Sequence, residues 1–246
     1  MAMTLEVYST DAEAFEGAAV LAAEWLRSAG ERATVALAGG RSGRGVMIAL
    51  AARNDLPWER VAWFWSDERC VPADDPRSNV RLARDSLLVP RGVAATRIHP
   101  PPVGLGDPAR VAAAYAGTLA GELAPGPAFD LVLLGLGRSG AIASLVPGGA
   151  ALGAATAVAA VVAEEIADEP RVARITLTPP SLAAARHVLV VAVGDEKAGA
   201  VAAALADGAD PARIPAALVC PSARVTWIVD RAAASTLLRD ARPAGD

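Results

Sequence analysis

At 246 residues, with 53% hydrophobic and 20% charged residues and few aromatics, the chain can bury one large core without disulfides and is too apolar to stay disordered. A formal net charge of −4 without any lysine- or arginine-rich run argues against a nucleic-acid partner, which would need a concentrated basic face to release phosphate counterions. Cys70 and Cys220 match no zinc spacing or disulfide framework, no uninterrupted apolar stretch reaches the roughly 18 residues of a membrane span, and the N-terminus lacks a signal-peptide layout, so a cytoplasmic protein away from membranes is expected.

In chain order, Thr10 and Glu13 have the spacing of a capping box, and apolar residues from Phe15 to Leu26 recur at helical intervals until Gly30. "ATVALAGG" (33–40) reads as a strand ending in paired glycines, and "GVMIALAAR" (45–53) as the helix after it. Apolar strands follow at "VAWFWSDER" (61–69), "FDLVLLGLG" (129–137), "AVAAVVAEE" (157–165), the start of "HVLVVAVGDEKAGAVAAALA" (187–206) and "VTWIVD" (225–230). "HPPPVGLGDP" (99–108) and "PGPAFD" (125–130) read as rigid connections too short to separate domains.

Strands that are apolar throughout, rather than alternating, belong to a sheet covered on both faces, and intervening helices imply parallel connections. The expected fold is therefore α/β: a doubly wound, mostly parallel open sheet with helices on both faces, Rossmann-like, in a single domain over 1–246. Ligands of such sheets collect beyond the carboxyl ends of the strands. There "AGGRSG", "SDER", "GLGRSG" and "VGDEK" would emerge together.

Gly135, Gly137 and Gly140 satisfy the dinucleotide pattern G-x-G-x-x-G, but Pro147, Gly148 and Gly149 leave under two turns for the helix that pattern requires. A better reading is an anion site, with backbone N–H groups of Gly39 and Gly40 near a helix start and positive charge from Arg69, Arg174 and Lys197. Taken singly, each arginine could instead pair with a neighbouring acid. Among the acids, Asp67 at a strand tip is the functional candidate, able to act as a base or to hold a hydroxyl-rich ligand; Asp74 and Asp75 read as turn residues. His99, His187 and Cys70 read as structural. No nucleophilic triad or metal site is revealed by spacing.

These segments together resemble the 6-phosphogluconolactonase family, in the superfamily that also holds glucosamine-6-phosphate deaminases. "LAGGRSG" (37–43) is similar to its glycine-rich sugar-phosphate loop and "FWSDERCVPADDPRSNVRLARDSLL" to its most recognisable segment. "FDLVLLGLG...ASLVPG", "RITLTPPSLAAARHVLVVAVGDEKAGAV" (174–201) and "VTWIVDRAAA" (225–234) follow in family order. The resemblance implies opening of 6-phospho-glucono-δ-lactone by water, a step of the pentose phosphate pathway, with a small-molecule sugar phosphate as partner and no metal or organic cofactor. It implies that Arg69, Arg174 and Lys197 contact the phosphate, that the loop Gly39, Gly40, Arg41, Ser42 wraps it, that Gly137 borders the substrate, and that Asp67 lines the sugar pocket. A monomer is favoured.

The chain departs from this pattern in its phosphate loop, where "GGRSG" stands for the usual G-G-S-T-P and brings Arg41 near the anion, and above all in its third segment. Members of the family carry G-x-G-x-D-G-H-T-A-S-L-F-P in the third segment, where the histidine and its preceding aspartate form the catalytic unit. Here Ser139 stands at the aspartate position, Ala141 at the histidine and Ile142 at the threonine. Loss of a positioned base costs about 10²- to 10⁴-fold in rate, so the expectation is a lactonase that is impaired, or in which Asp67, Glu68 or a histidine from elsewhere serves as base. The alternative is a non-catalytic sugar-phosphate binder.

Overall fold

The structure, a computed structural model, describes residues 3–123, 128–220 and 224–240. In chain order the elements are β1 (Thr4–Tyr8), α1 (Asp11–Ser28), β2 (Ala33–Leu37), α2 (Gly40–Ala51), β3 (Val61–Trp65), β4 (Asp67–Arg69), α3 (Asn79–Ala83) and α4 (Pro108–Glu122). After these come β5 (Leu131–Gly135), β6 (Val158–Val161), β7 (Arg174–Leu177), α5 (Pro179–Ala184), β8 (His187–Ala192), α6 (Ala198–Leu205), β9 (Val225–Asp230) and α7 (Ser235–Asp240). Six strands form one sheet in the order β1-β9-β8-β5-β2-β3, every pairing parallel.

Both faces of that sheet are covered, as the continuous apolar strands require. On β3, Trp63 and Trp65 enter the core beneath α1 and α2, while Ala62 and Phe64 enter the opposite core with Tyr115 of α4. Helix α1 presents a stripe of buried Ala14, Ala18 and Ala22, whose small side chains let it approach closely. It starts at the expected box: Thr10 Oγ1 accepts from Glu13 N, and the Glu13 carboxylate accepts from Thr10 N. Among the described residues no helix is long and apolar enough to cross a membrane.

Several expectations need correction. The run at 157–165 does not join the main sheet; its strand part, β6, lies in a separate antiparallel sheet of order β4-β7-β6. The run at 61–69 is likewise divided. Ser66 N donates to Leu37 O at 2.8 Å, while Ser66 O accepts from Leu177 N at 2.8 Å, so the chain steps from one sheet to the other at Ser66. Hydrophobic periodicity cannot assign so short an apolar run to one of two sheets. Helix α2 begins at Gly40, five residues before its expected start, and α4 and β1 went unread in the sequence. Residues 99–108 run through a 3-10 turn to Asp107, which caps α4 by accepting from Ala109 N. Of the connection at 125–130, residues 125–127 lie outside the described residues; Asp130 braces β2 by accepting from Thr34 N and Oγ1.

Candidate active site

The neighbouring strands β8, β5 and β2 end side by side, and the loops that follow them line a cleft of about 490 Å³. This is the crevice of an open parallel sheet where the chain runs outward from β2 to β3 on one side and from β5 to β8 on the other. From the turn after β2 and the first residues of α2 come Gly39, Gly40, Arg41 and Ser42, from the loop after β5 Gly137 and Arg138, and from that after β8 Glu196 and Lys197. The antiparallel sheet leans over the opening and contributes Asp67, Arg69 and Arg174. Every residue singled out in the sequence as substrate-binding thus lines one cleft.

The tightest arrangement in it is cationic. Arg69 and Arg174 are direct cross-strand partners of β4 and β7, a placement of like charges that ordinarily destabilises a sheet. Neither forms an ion pair among the described residues, and neither does Lys197. Arg69 Nη1 donates to Arg77 O at 2.6 Å and Arg174 Nη2 to Pro170 O at 2.9 Å, which fixes the guanidinium planes, while both buried Nε atoms lack a hydrogen-bond partner. Burial holds the Arg174 guanidinium and the Lys197 ammonium below their ordinary pKa values. Desolvated donors held by backbone carbonyls and left without a carboxylate favour an anion between them. The reading in which each arginine pairs with a neighbouring acid is overturned.

Gly39 caps α2, and a Cβ there would overlap the Asn79 side chain, so glycine is required for the loop to pass this close. Asn79 Nδ2 donates in turn to Asp67 O at 3.0 Å and Oδ1 at 3.4 Å, and Ser144 Oγ donates to Asp67 Oδ2 at 2.7 Å. Asp67 is therefore a nearly buried carboxylate held from two sides on the cleft wall. Its neighbour Glu68 points away. The Glu68 carboxylate accepts from Ser78 Oγ and from the N–H groups of Arg69, Asn79 and Val80, which anchors the start of α3. Burial pushes its pKa above the ordinary value against those donors, and it does not reach the cleft. As a substitute base it is excluded by position.

The "GLGRSG" turn is followed by no helix. Gly137 N donates to Ala141 O at 2.8 Å and Gly140 N to Gly137 O at 3.1 Å, so these amides close a turn on themselves instead of forming the helix start a dinucleotide needs. Ser139 and Ala141 line a side chamber of about 200 Å³, which shares Gly137, Ala143, Ala167, Asp168 and Arg174 with the main cleft. No histidine takes their place. His187 opens β8 at the far end of the sheet, stacked on Trp25 at 4.3 Å, and His99 stacks on Phe64 at 4.7 Å. Among the described residues no group of three or more His, Cys, Asp or Glu side chains is placed to hold a metal ion.

Asn79, Arg138, Ser144, Asp168, Glu169 and Glu196 also belong to this region and were not singled out from the sequence. "ADEP" at 167–170 was the available signal, since two acids shortly before the strand of Arg174 must lie near its cation.

The fold and cleft define a doubly wound α/β protein with a cleft rich in unpaired cations at the switch point of its sheet. Over residues 9–227 the sequence matches the glucosamine-6-phosphate isomerase/6-phosphogluconolactonase family, and the chain belongs to that family. It is 39% identical to the 6-phosphogluconolactonase of Streptomyces coelicolor, over 86% of this chain and 84% of that one. With the 6-phosphogluconolactonase of Mycobacterium leprae it shares 37% identity over 96% and 99% of the two chains. The solved 6-phosphogluconolactonase of Trypanosoma brucei superposes with a TM-score of 0.83 at 30% identity, covering 96% of this chain and 98% of the other.

Proposed function

We propose that this protein is a 6-phosphogluconolactonase, hydrolysing 6-phospho-glucono-δ-lactone to 6-phosphogluconate. The observation that carries the reading is the opposed pair Arg69 and Arg174, without carboxylate partners, in a cleft that Lys197 also lines. These three cations hold the terminal phosphate, and the amides of Gly39 and Gly40 at the start of α2 wrap it. Asp67, fixed by Ser144 and Asn79, is the catalytic carboxylate that contacts the sugar end and orients a hydroxyl or the attacking water. The non-catalytic binder, suggested by Ser139 and Ala141 at the motif aspartate and histidine positions, is not favoured over this reading, because the matched lactonases align along 84–99% of their own length.

The same reading has one domain over the whole chain, acting as a monomer in the cytoplasm on a small sugar phosphate without a cofactor. The test is lactone hydrolysis corrected for the spontaneous rate, paired with thermal denaturation in 6-phosphogluconate. Turnover above the blank is expected, as is a rise in melting temperature that grows with ligand concentration. A rate equal to the blank with the thermal shift intact would replace the lactonase with a binder.

A further inference from the structure

Fast hydrolysis of a lactone calls for a positioned group that takes a proton from water, and neither histidine reaches the cleft. Its carboxylates differ sharply in how they are engaged. Asp67 is held by Ser144 and Asn79, and Glu165 at the side chamber accepts from Ala150 N at 3.0 Å. Glu196 pairs with Arg41 at 3.4 Å and Glu169 with Arg171 at 3.7 Å. Asp168 is exposed and makes no hydrogen bond or ion pair among the described residues. It lines both the main cleft and the side chamber, alongside the methyl group of Ala141, and its charge acts on both Arg174 and Lys197.

We propose that Asp168 is the general base of this enzyme, a catalytic residue acting from the junction of the two compartments. Resting on the lactonase reading, this assigns the proton transfer that Asp67 only orients. The Asp168 carboxylate takes one proton from water as the water oxygen bonds to the lactone carbonyl carbon. Collapse of the tetrahedral intermediate breaks the bond from that carbon to the ring oxygen, which leaves with the proton returned by Asp168. The acid product then ionises to solvent, and Asp168 is regenerated as carboxylate.

The opening on the Ala141 side is what makes the position usable. A chamber of about 200 Å³ between the methyl groups of Ala141 and Ala143 and the Asp168 carboxylate has room for a water beside the cleft. A carboxylate so close to two phosphate-binding cations must also be free to turn towards the lactone, and its lack of partners allows this.

The experiment is Asp168→Asn in the full chain. Expected is a fall in kcat of about 100-fold or more with KM within about 3-fold, and a thermal shift in 6-phosphogluconate that is kept or enlarged. In Asp168→Ala, whose truncation leaves space for a small carboxylate, added formate should restore part of the lost turnover, which a merely structural role would not permit. Activity of Asp168→Asn within about 3-fold of wild type would overturn the assignment and leave the lactonase reading standing. Loss in either variant without formate rescue in Asp168→Ala would overturn it, and with the thermal shift also gone would show a role in binding. A wild-type rate at the blank would instead remove the reading on which it rests.

Discussion

Arg69 and Arg174 face each other as direct cross-strand partners, and neither forms an ion pair among the described residues. A pair of this kind trades stability for binding, since like charges opposed in a sheet repel until an anion lies between them. Arg69→Gln is expected to leave the melting temperature of the free protein unchanged or raised. A lost charge-assisted contact is worth about 1.5–3 kcal/mol, so KM for the lactone should rise about 10- to 100-fold. Calorimetry with and without 6-phosphogluconate checks both halves: a free protein destabilised by the change, with ligand binding intact, would contradict the trade.

Ser144 Oγ is a side-chain donor to Asp67 at 2.7 Å, buried with its acceptor. Ser144→Ala removes that donor and costs about 1–3 kcal/mol for an acceptor left without its partner. Chemical denaturation should register the loss, and kcat should fall as the carboxylate loses its fixed direction. An unchanged kcat would detach Asp67 from catalysis.

The side chamber at Ser139 and Ala141 is wide enough for larger side chains. Ser139→Asp combined with Ala141→His places a carboxylate–imidazole pair at the junction and is expected to raise kcat, by up to about 10²-fold if proton transfer limits turnover. In that background Asp168→Asn should cost far less than alone. Equal losses in both backgrounds would mean the new histidine takes over nothing.

Arg41 and Glu196 form an exposed pair at 3.4 Å on the rim of the cleft. Gly194, at φ +97°, lies under both side chains, where a Cβ would crowd them. Glu196 engages the Arg41 guanidinium and adds negative charge near Lys197, so Glu196→Gln should tighten 6-phosphogluconate binding by a few-fold at low salt. Titration calorimetry at two ionic strengths checks the direction, and weaker binding would give Glu196 a contact with substrate instead.

Both histidines have pKa values held below 6.5, chiefly by burial. The folded state therefore prefers them neutral, and just below that value the unfolded chain binds more protons. Their contribution to stability is complete above pH 6.5 and is lost as the pH falls from there through the lowered values. His99→Phe, which keeps the stack on Phe64 and removes a buried Nε2 without a partner, should flatten the fall in melting temperature over this window. An unchanged slope would place the acid sensitivity elsewhere.

Much of the site was legible because its parts are local. A glycine pair after an apolar run, a "SDER" tip and a "VGDEK" tip each announce a strand end, and parallel strands deliver all such ends to one rim. The carboxylates were less legible. Asp67 and Glu68 are adjacent and chemically alike, yet one reaches the cleft and the other seals the start of α3, because successive residues of a strand point to opposite faces. Asp168 could not be ranked at all, since what distinguishes it is the absence of partners that Asp67, Glu196 and Glu169 possess.

By itself the sequence determined the class of fold, the loops that meet at its rim and the cations that gather there, because those follow from apolar runs and turn residues read a few positions at a time. Only the tertiary structure decided that the chain divides into two sheets at Ser66, that Arg69 faces Arg174 and that Asp168 stands free. Those are matters of register and partner between segments as much as a hundred residues apart, and no local pattern of side chains encodes them.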